Sequence, residues 1–289
     1  MNQLPPARAS SMGQSMIPAE RQQCIREALD AKGMVSIVDM AEQLGVSQMT
    51  VRRDMQALEK QGHAALVSGG ARRVGRIASE LSLAEKRDLQ SAEKTAIARK
   101  AASLVRPGMA IYFDAGTTCL AIAEEIAARP ELRDTILAVT NDFTIVAHLM
   151  LNSECRLYHT GGEVLRANKS CIGETTATVI GRLNLDLAFI STSSWNADWI
   201  STPNEAKIAV KLATVRASRQ TILVSDSTKY GRLGFFNIIA PQEMDGIITD
   251  TGLPIAAQEQ LIRSGIDLML VEPVAMRAPR AAADAPQAE

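Results

Sequence analysis

The chain lacks any apolar run approaching the roughly 18 residues that a membrane-spanning helix needs, so no transmembrane segment is expected. Residues 1–17 are polar and proline-bearing without an apolar block, so no targeting segment is expected either, and the cytoplasm is the expected compartment. Cysteine is scarce: the four, at 24, 119, 155 and 171, have neither close metal-ligand spacing nor the density of a small secreted scaffold. Reduced thiols and no metal site follow as expectations. An excess of charge of one sign is missing too, because the formal net charge of −1 excludes a generally basic coat. Affinity for nucleic acid must then come from cations placed locally. There is no glycine-rich dinucleotide fingerprint, no lysine-bearing phosphate loop and no internal repeat, and no cofactor is expected.

What remains is 289 residues with 46% hydrophobic content, enough for a small module plus one sizeable core, hence two domains. Residues 273–289 are dominated by alanine and proline with mixed charges and are read, like 1–17, as a disordered tail.

Within residues 35–54 the sequence predicts two short helices around a tight turn. Ser36 and Ser47 each precede an apolar periodic run and can accept hydrogen bonds from first-turn amides. Gly45 follows Leu44 where a helix ending in a left-handed residue wants glycine. Ile37, Met40, Ala41 and Leu44, then Val51, Met55 and Leu58, fall at helical spacing and face inward. The opposite face of the second helix presents Gln48, Thr50, Arg52, Arg53 and Gln56, with Ser47 at its start, and these together with Ser36 are candidate DNA contacts. Arginine pairs with guanine edges and glutamine with adenine, while hydroxyls and amides hold phosphate oxygens. Two arginines on a helix more often solvate its surface, but here cap, turn, spacing and polar face all agree on one groove-entering unit. A helix over residues 20–32, ended by Gly33, closes a small core, and residues 63–74 read as a hairpin wing carrying Arg72 and Arg73.

From about residue 18 to 73 the chain resembles the DNA-binding domain of the DeoR family of bacterial transcription regulators, most specifically through Val46-Ser47 and Thr50-Val51-Arg52-Arg53-Asp54. The resemblance implies a winged helix-turn-helix that binds double-stranded operator DNA. It breaks at the wing: Leu66, Val67 and Ser68 stand where the family has an arginine, an aliphatic residue and a histidine.

Residues 74–92 read as a linker, and residues 93–272 as an α/β domain. After a helix over 93–105 and a Pro107-Gly108 break, strands are predicted at 110–113, 135–139, 155–158, 187–190, 221–224, 246–249 and 267–270, alternating with helices. That alternation predicts a doubly wound, largely parallel sheet, whose ligands gather where strands end. Polar clusters fall at those ends: Asp114-Ala-Gly-Thr-Thr118, Thr140-Asn141-Asp142, Thr160-Gly161-Gly162-Glu163, Ser191-Thr192-Ser193 and Asp226-Ser227-Thr228-Lys229, with Glu205 and Lys211 on the helix between the last two. Taken alone the first is as consistent with an ordinary capped turn as with a phosphate-holding helix start. The set of hydroxyls, carboxylates and lysines suits a phosphorylated polyol.

Residues from about 80 to 271 also resemble the DeoR family, whose C-terminal domain is related in fold to ribose-5-phosphate isomerase and senses phosphorylated sugars or related metabolites. By that resemblance Asp114, Gly116, Thr117, Thr118, Asn141, Gly161, Glu205, Lys211 and Lys229 are the candidate effector site. The chain departs from its relatives at residues 191–199, where Trp195 and Trp199 are open to two roles, stacking on a sugar or anchoring the loop. His159 reads as a structural residue at a strand end. The expectation is a repressor of a carbohydrate-metabolism operon, a homodimer or homotetramer released from DNA by a phosphorylated sugar or sugar acid, with no catalytic residues. The competing expectation is a sugar-phosphate isomerase fused to a DNA-binding module, with Asp198 or Glu205 as base and Lys211 stabilising enolate charge.

Overall fold

The computed structural model describes residues 16–60, 63–67, 69–73, 76–77 and 80–273. Residues 1–15 and 274–289, which make up nearly all of the two expected tails, and Ser68 of the wing lie outside the described residues. The chain divides into two compact units, Met1–Arg73 and Val74–Glu289.

The first unit runs α1 (Pro18–Lys32), β1 (Met34–Ser36), α2 (Ile37–Leu44), α3 (Gln48–Lys60), β2 (Ala64–Val67) and β3 (Gly70–Arg73). The helix starts follow the caps: the Ser36 hydroxyl accepts from Asp39 N at 3.0 Å and the Ser47 hydroxyl from Thr50 N at 3.2 Å. Gly45 ends α2 in the left-handed conformation, and Val46 N returns to the carbonyl of Ala41. Ile25, Leu29, Met40, Val51, Met55 and Leu58 are buried, each stabilising the unit by roughly 1.5–3 kcal/mol relative to exposure. The hairpin β2–β3 forms as expected, and β1 adds to it antiparallel to β3, a strand the sequence did not announce. A Cβ on Gly70 would lie 2.1 Å from the carbonyl oxygen of Val35, so only glycine lets β3 pass β1 this closely.

The second unit begins with β4 (Arg76–Ile77), α4 (Leu83–Arg87) and α5 (Ser91–Ala102). It continues with β5 (Ala110–Phe113), α6 (Thr117–Ala127), α7 (Pro130–Arg133), β6 (Leu137–Thr140), α8 (Phe143–Asn152) and β7 (Arg156–His159). Next come β8 (Glu163–Leu165), β9 (Ser170–Ile172), α9 (Gly173–Ile180), β10 (Leu187–Ser191), β11 (Ser194–Trp195), β12 (Ile200–Thr202) and α10 (Ala206–Ala217). The unit closes with β13 (Thr221–Val224), β14 (Leu233–Gly234), β15 (Phe236–Ile239), β16 (Gly246–Asp250), α11 (Ile255–Arg263) and β17 (Leu268–Val271).

Seven strands form one sheet in the order β17-β16-β13-β10-β5-β6-β7, every neighbouring pair parallel. The pleat sends alternate residues to opposite faces: Ile111, Phe113, Leu187, Phe189, Ile222 and Val224 join one apolar layer, and Tyr112, Ala188, Ile190 and Leu223 the other. Both faces are thus covered, which parallel sheets require. The chain winds outward from β5 through β6 to β7, then returns to β10 on the other side of β5. The direction of winding therefore switches between β5 and β10, where the loops after the two strands part and leave a crevice.

All seven strands lie where the sequence expects them, with ends displaced by up to two residues. Three smaller pairings have no sequence forerunner: the hairpin β8–β9, the sheet β11-β12-β15, and β4 with β14. The last corrects the reading of residues 74–92 as a plain linker, because β4 pairs in parallel with Leu233 and Gly234 and α4 is a capped helix turn with Ser82 and Glu85 in reciprocal hydrogen bonds.

Candidate functional site

On α3, Gln48, Arg52, Arg53 and Gln56 are exposed and Thr50 is half-buried, while Val51, Asp54, Met55 and Leu58 face inward. One continuous polar strip is therefore available to a groove. Behind it Arg21 of α1 grips Asp54 with Nε at 2.7 Å and Nη2 at 3.3 Å from the two carboxylate oxygens, a fork that fixes α3 against α1. Sequence reading placed Asp54 in the motif but missed this partner, 33 residues away. Ser47 and Thr50 share a hydroxyl contact of 2.9 Å at the helix start, and the Ser36 hydroxyl serves its own cap. In the wing Arg73 is exposed and Arg72 half-buried, whereas Leu66 is buried and so belongs to the core rather than to a DNA contact.

In the second unit a pocket opens where the winding direction changes. Its floor is Asp114, directly after β5, which is almost fully buried. Asp114 accepts from the Ser191 amide at 3.0 Å and hydroxyl at 3.2 Å, and from the ammonium of Lys211 on α10, which also donates to the Ser191 carbonyl. One carboxylate thus ties the ends of β5 and β10 to α10. Beside it Gly116 caps α6 at φ 141°, where a Cβ would lie 3.3 Å from the Ser191 hydroxyl. The Gly116 amide donates to Asp142 at 3.1 Å, and Asp142 caps α8 through the amides of Thr144 and Ile145. Burial raises the Asp142 carboxyl above its ordinary range despite these hydrogen bonds. The first-turn amides of Thr117 and Thr118 have no intrahelical carbonyl to meet and stand at the positive end of α6.

Three buried side-chain atoms around this pocket meet no hydrogen-bond partner: Thr118 Oγ1, Asn141 Oδ1 and Ser170 Oγ. Their residues are 1%, 2% and 0% exposed, so each bears the full cost of desolvation, about 1–3 kcal/mol. The lining carries Lys86, Lys207, Lys211 and Lys229 against Glu80 and Asp114, an excess of positive charge. Such a site can hold an anion at the helix end and hydroxyls against the three unmatched atoms.

The structure brings Asp114, Gly116, Thr117, Thr118, Asn141, Lys211 and Lys229 together at the pocket. Two expected members are not among its lining. The Gly161 amide donates to His159 Nδ1 at 3.1 Å and its carbonyl accepts from Thr176 at 2.8 Å, so this glycine serves the turn after β7. Glu205 is exposed at the start of α10, and Asp198 is exposed in the loop after β11, so neither faces the pocket as a catalytic base would have to. Trp195 is fully buried, edge-on to Tyr230 with centroids 5.0 Å apart, and anchors its loop, while Trp199 is exposed. His159 stacks on Phe143 at 4.6 Å, a structural role. Sequence reading missed Glu80, Lys86, Ser170 and Lys207. The first two lie in the stretch taken for a linker, and Ser170 lies on a strand without a strand pattern. Lys207 stands one helical turn before Lys211 on the same face of α10, which was a usable signal.

Residues 21–76 match the model of the DeoR-like helix-turn-helix domain, and residues 89–251 that of the DeoR C-terminal sensor domain. YgbI of Escherichia coli, an uncharacterized HTH-type transcriptional regulator, is 48% identical over 89% of this chain and 99% of its own length. The glycerol-3-phosphate regulon repressor of Escherichia coli is 28% identical over 88% of this chain and 100% of its own. Among solved structures, ribose-5-phosphate isomerase A of Methanocaldococcus jannaschii aligns over 47% of this chain and 53% of its own, with 18% identity and a TM-score of 0.33, too slight a likeness to carry an argument. Both sequence relatives are transcriptional regulators. From its helix-turn-helix to its sensor domain, the chain is a member of the DeoR family of transcriptional regulators.

Proposed function

We propose that the protein represses a carbohydrate-metabolism operon, binding double-stranded operator DNA through α3 and the wing as a homodimer or homotetramer. A phosphorylated sugar or sugar acid in the pocket beside α6 relieves the repression. Arg52, Arg53, Gln48 and Gln56 read base edges, while Ser47, Thr50, Arg72, Arg73 and the start of α3 hold phosphates. Two such helices must stand about one DNA turn, or a multiple, apart. An effector that favours another arrangement of the subunits therefore costs DNA affinity. The observation that carries the effector reading is the trio of buried, unmatched atoms on Thr118, Asn141 and Ser170 beside the open amides of α6. The anionic end sits on the Thr117 and Thr118 amides, and the polyol body meets the trio.

The test is release of full-length protein from operator DNA, titrated with a panel of sugar phosphates and phosphorylated sugar acids, alongside Thr118→Val and Lys207→Gln. A ligand that releases the unaltered protein should release neither variant at the same concentration. Release that survives both substitutions would place the effector elsewhere.

A further inference from the structure

The pocket wall contains a carboxylate that the chain itself supplies. Glu80 accepts from Lys86 Nζ at 2.7 Å through one oxygen, and from Asn168 Nδ2 at 2.9 Å and the Lys207 ammonium through the other. The three donors come from α4, from the turn between β8 and β9, and from α10, and converge on a carboxylate whose side chain is 16% exposed. Two ammonium groups and an amide N–H around one carboxylate are the donor set of an anion site. Burial alone would raise the Glu80 carboxyl, yet Lys207 and Lys86 hold it down to about 2. Burial pushes both Lys86 and neighbouring Lys94 down to about 8. Among the described residues Lys94 has only the backbone carbonyls of Lys86 and Leu89 as hydrogen-bond acceptors. Cations on this wall therefore outnumber the anions that answer them.

The position of Glu80 adds a second observation. It lines the pocket described above and also an adjoining cleft of 430 Å³, and Lys86, Thr117, Ser193 and Lys229 line both spaces as well. A ligand larger than the pocket proper has room to extend past this carboxylate into the adjoining cleft.

We propose that Lys86, Lys207 and Asn168 form a second anion subsite of the effector pocket, filled by Glu80 in the free protein and taken over by a carboxylate or phosphate of the effector. This rests on the pocket being the effector site, and it makes the preferred effector one with two anionic groups, one for α6 and one for the Glu80 position. It also gives occupancy a mechanical output. Glu80 lies on the stretch of chain that leads out of the DNA-binding unit, and its displacement removes one tie on that stretch, leaving the pairing of β4 with β14 and the bonds from Lys94 to the carbonyls of Lys86 and Leu89. Ligand binding and docking of the stretch then oppose each other, and reciprocally so.

The experiment is calorimetric titration of the full-length protein with inorganic phosphate and with 6-phosphogluconate, the second carrying both kinds of anion. Glu80→Gln, which keeps the shape but not the competing charge, should bind both probes roughly tenfold tighter, within the usual range of coupling between sites. In the unaltered protein, saturating 6-phosphogluconate should speed amide hydrogen exchange over residues 80–90, and in Glu80→Gln that exchange should already be fast without ligand. Lys86→Gln leaves the Glu80–Lys207 pair in place, so it should fold, and should bind 6-phosphogluconate roughly tenfold more weakly. Unchanged or weaker binding by Glu80→Gln, or undiminished binding by Lys86→Gln, overturns the subsite. Thr118→Val separates the two layers: if it abolishes binding while Glu80→Gln gains nothing, the effector pocket stands and the subsite falls. If Thr118→Val binds as the unaltered protein does, the pocket reading beneath it falls.

Discussion

In the DNA-binding unit the polar residues of α3 stand in solvent and the buried acid, Asp54, is matched by the fork of Arg21. Around the pocket of the second unit, Thr118, Asn141 and Ser170 are buried with atoms that meet no hydrogen-bond partner. Among its described residues the first unit has settled its interior polar groups and offers groups that water already satisfies. Its partner, a duplex with exposed phosphates, has only to exchange counterions and water for them. In the second unit these three atoms are left for a bound molecule or water to satisfy. A surface for a large charged polymer can be complete before binding, whereas a pocket for a small polar molecule gains discrimination by being incomplete.

The comparison breaks most visibly if Asp54→Ala is harmless. Removing one partner of this buried pair should cost about 3–5 kcal/mol, seen by calorimetry as a lowered unfolding transition for the first unit alone. Next in size, Arg52→Ala and Arg53→Ala should each cost roughly 1–3 kcal/mol of operator affinity, with little change in binding to unrelated DNA and none in unfolding temperature. Fluorescence anisotropy on both DNAs measures this, and an equal loss on both would reassign those arginines to phosphates.

A smaller effect lies in acid. The Glu80 carboxyl is held at about 2 against an ordinary 4.5, so its folded value is depressed. The stability it contributes is present in full above 4.5 and is lost as the pH falls from there toward 2. Acid unfolding of the second unit should be less steep through that window in Glu80→Gln. Smallest is Thr118→Val: removing an unmatched buried hydroxyl while keeping the shape should leave the free protein as stable or up to about 1 kcal/mol more so. A clear loss of stability would mean that the hydroxyl is already satisfied in the free protein and is not waiting for a ligand.

The same contrast explains what could be read from the sequence. Ser36, Gly45, Ser47 and the apolar spacing of α2 and α3 are local signals within some twenty residues, so the helix-turn-helix was legible in full. The parallel sheet was legible because strands buried on both faces are continuous apolar runs. Asp114, Thr117, Thr118 and Asn141 stand at strand ends, where ligands gather, and the family resemblance singles them out there. Glu80 and Lys86 did not follow, because a polar stretch without periodicity looks like a connector until its partners, from Asn168 to Lys207, are known. Ser170 was hidden because β9 is three residues long. Gly161 has the same two grounds, a strand end and the family resemblance, and neither says whether its backbone serves a ligand or a turn. Arg21 and Asp54 carry no pattern that couples them, since an ion pair between helices is a property of their packing.

The unmatched trio has one more consequence, for what the pocket rejects. A ligand bound there with a hydroxyl at each of these atoms relieves all three, while an analogue lacking one hydroxyl leaves the matching atom as unpaired as it is in the free protein and forgoes that gain. Sites built to hydrogen-bond a ligand hydroxyl exclude the deoxygenated analogue far more strongly than an apolar pocket excludes a missing methylene. If a metabolite binds there, the pocket sorts candidates by the number and placement of their hydroxyls, and a deoxygenated analogue should bind more weakly than its hydroxylated parent.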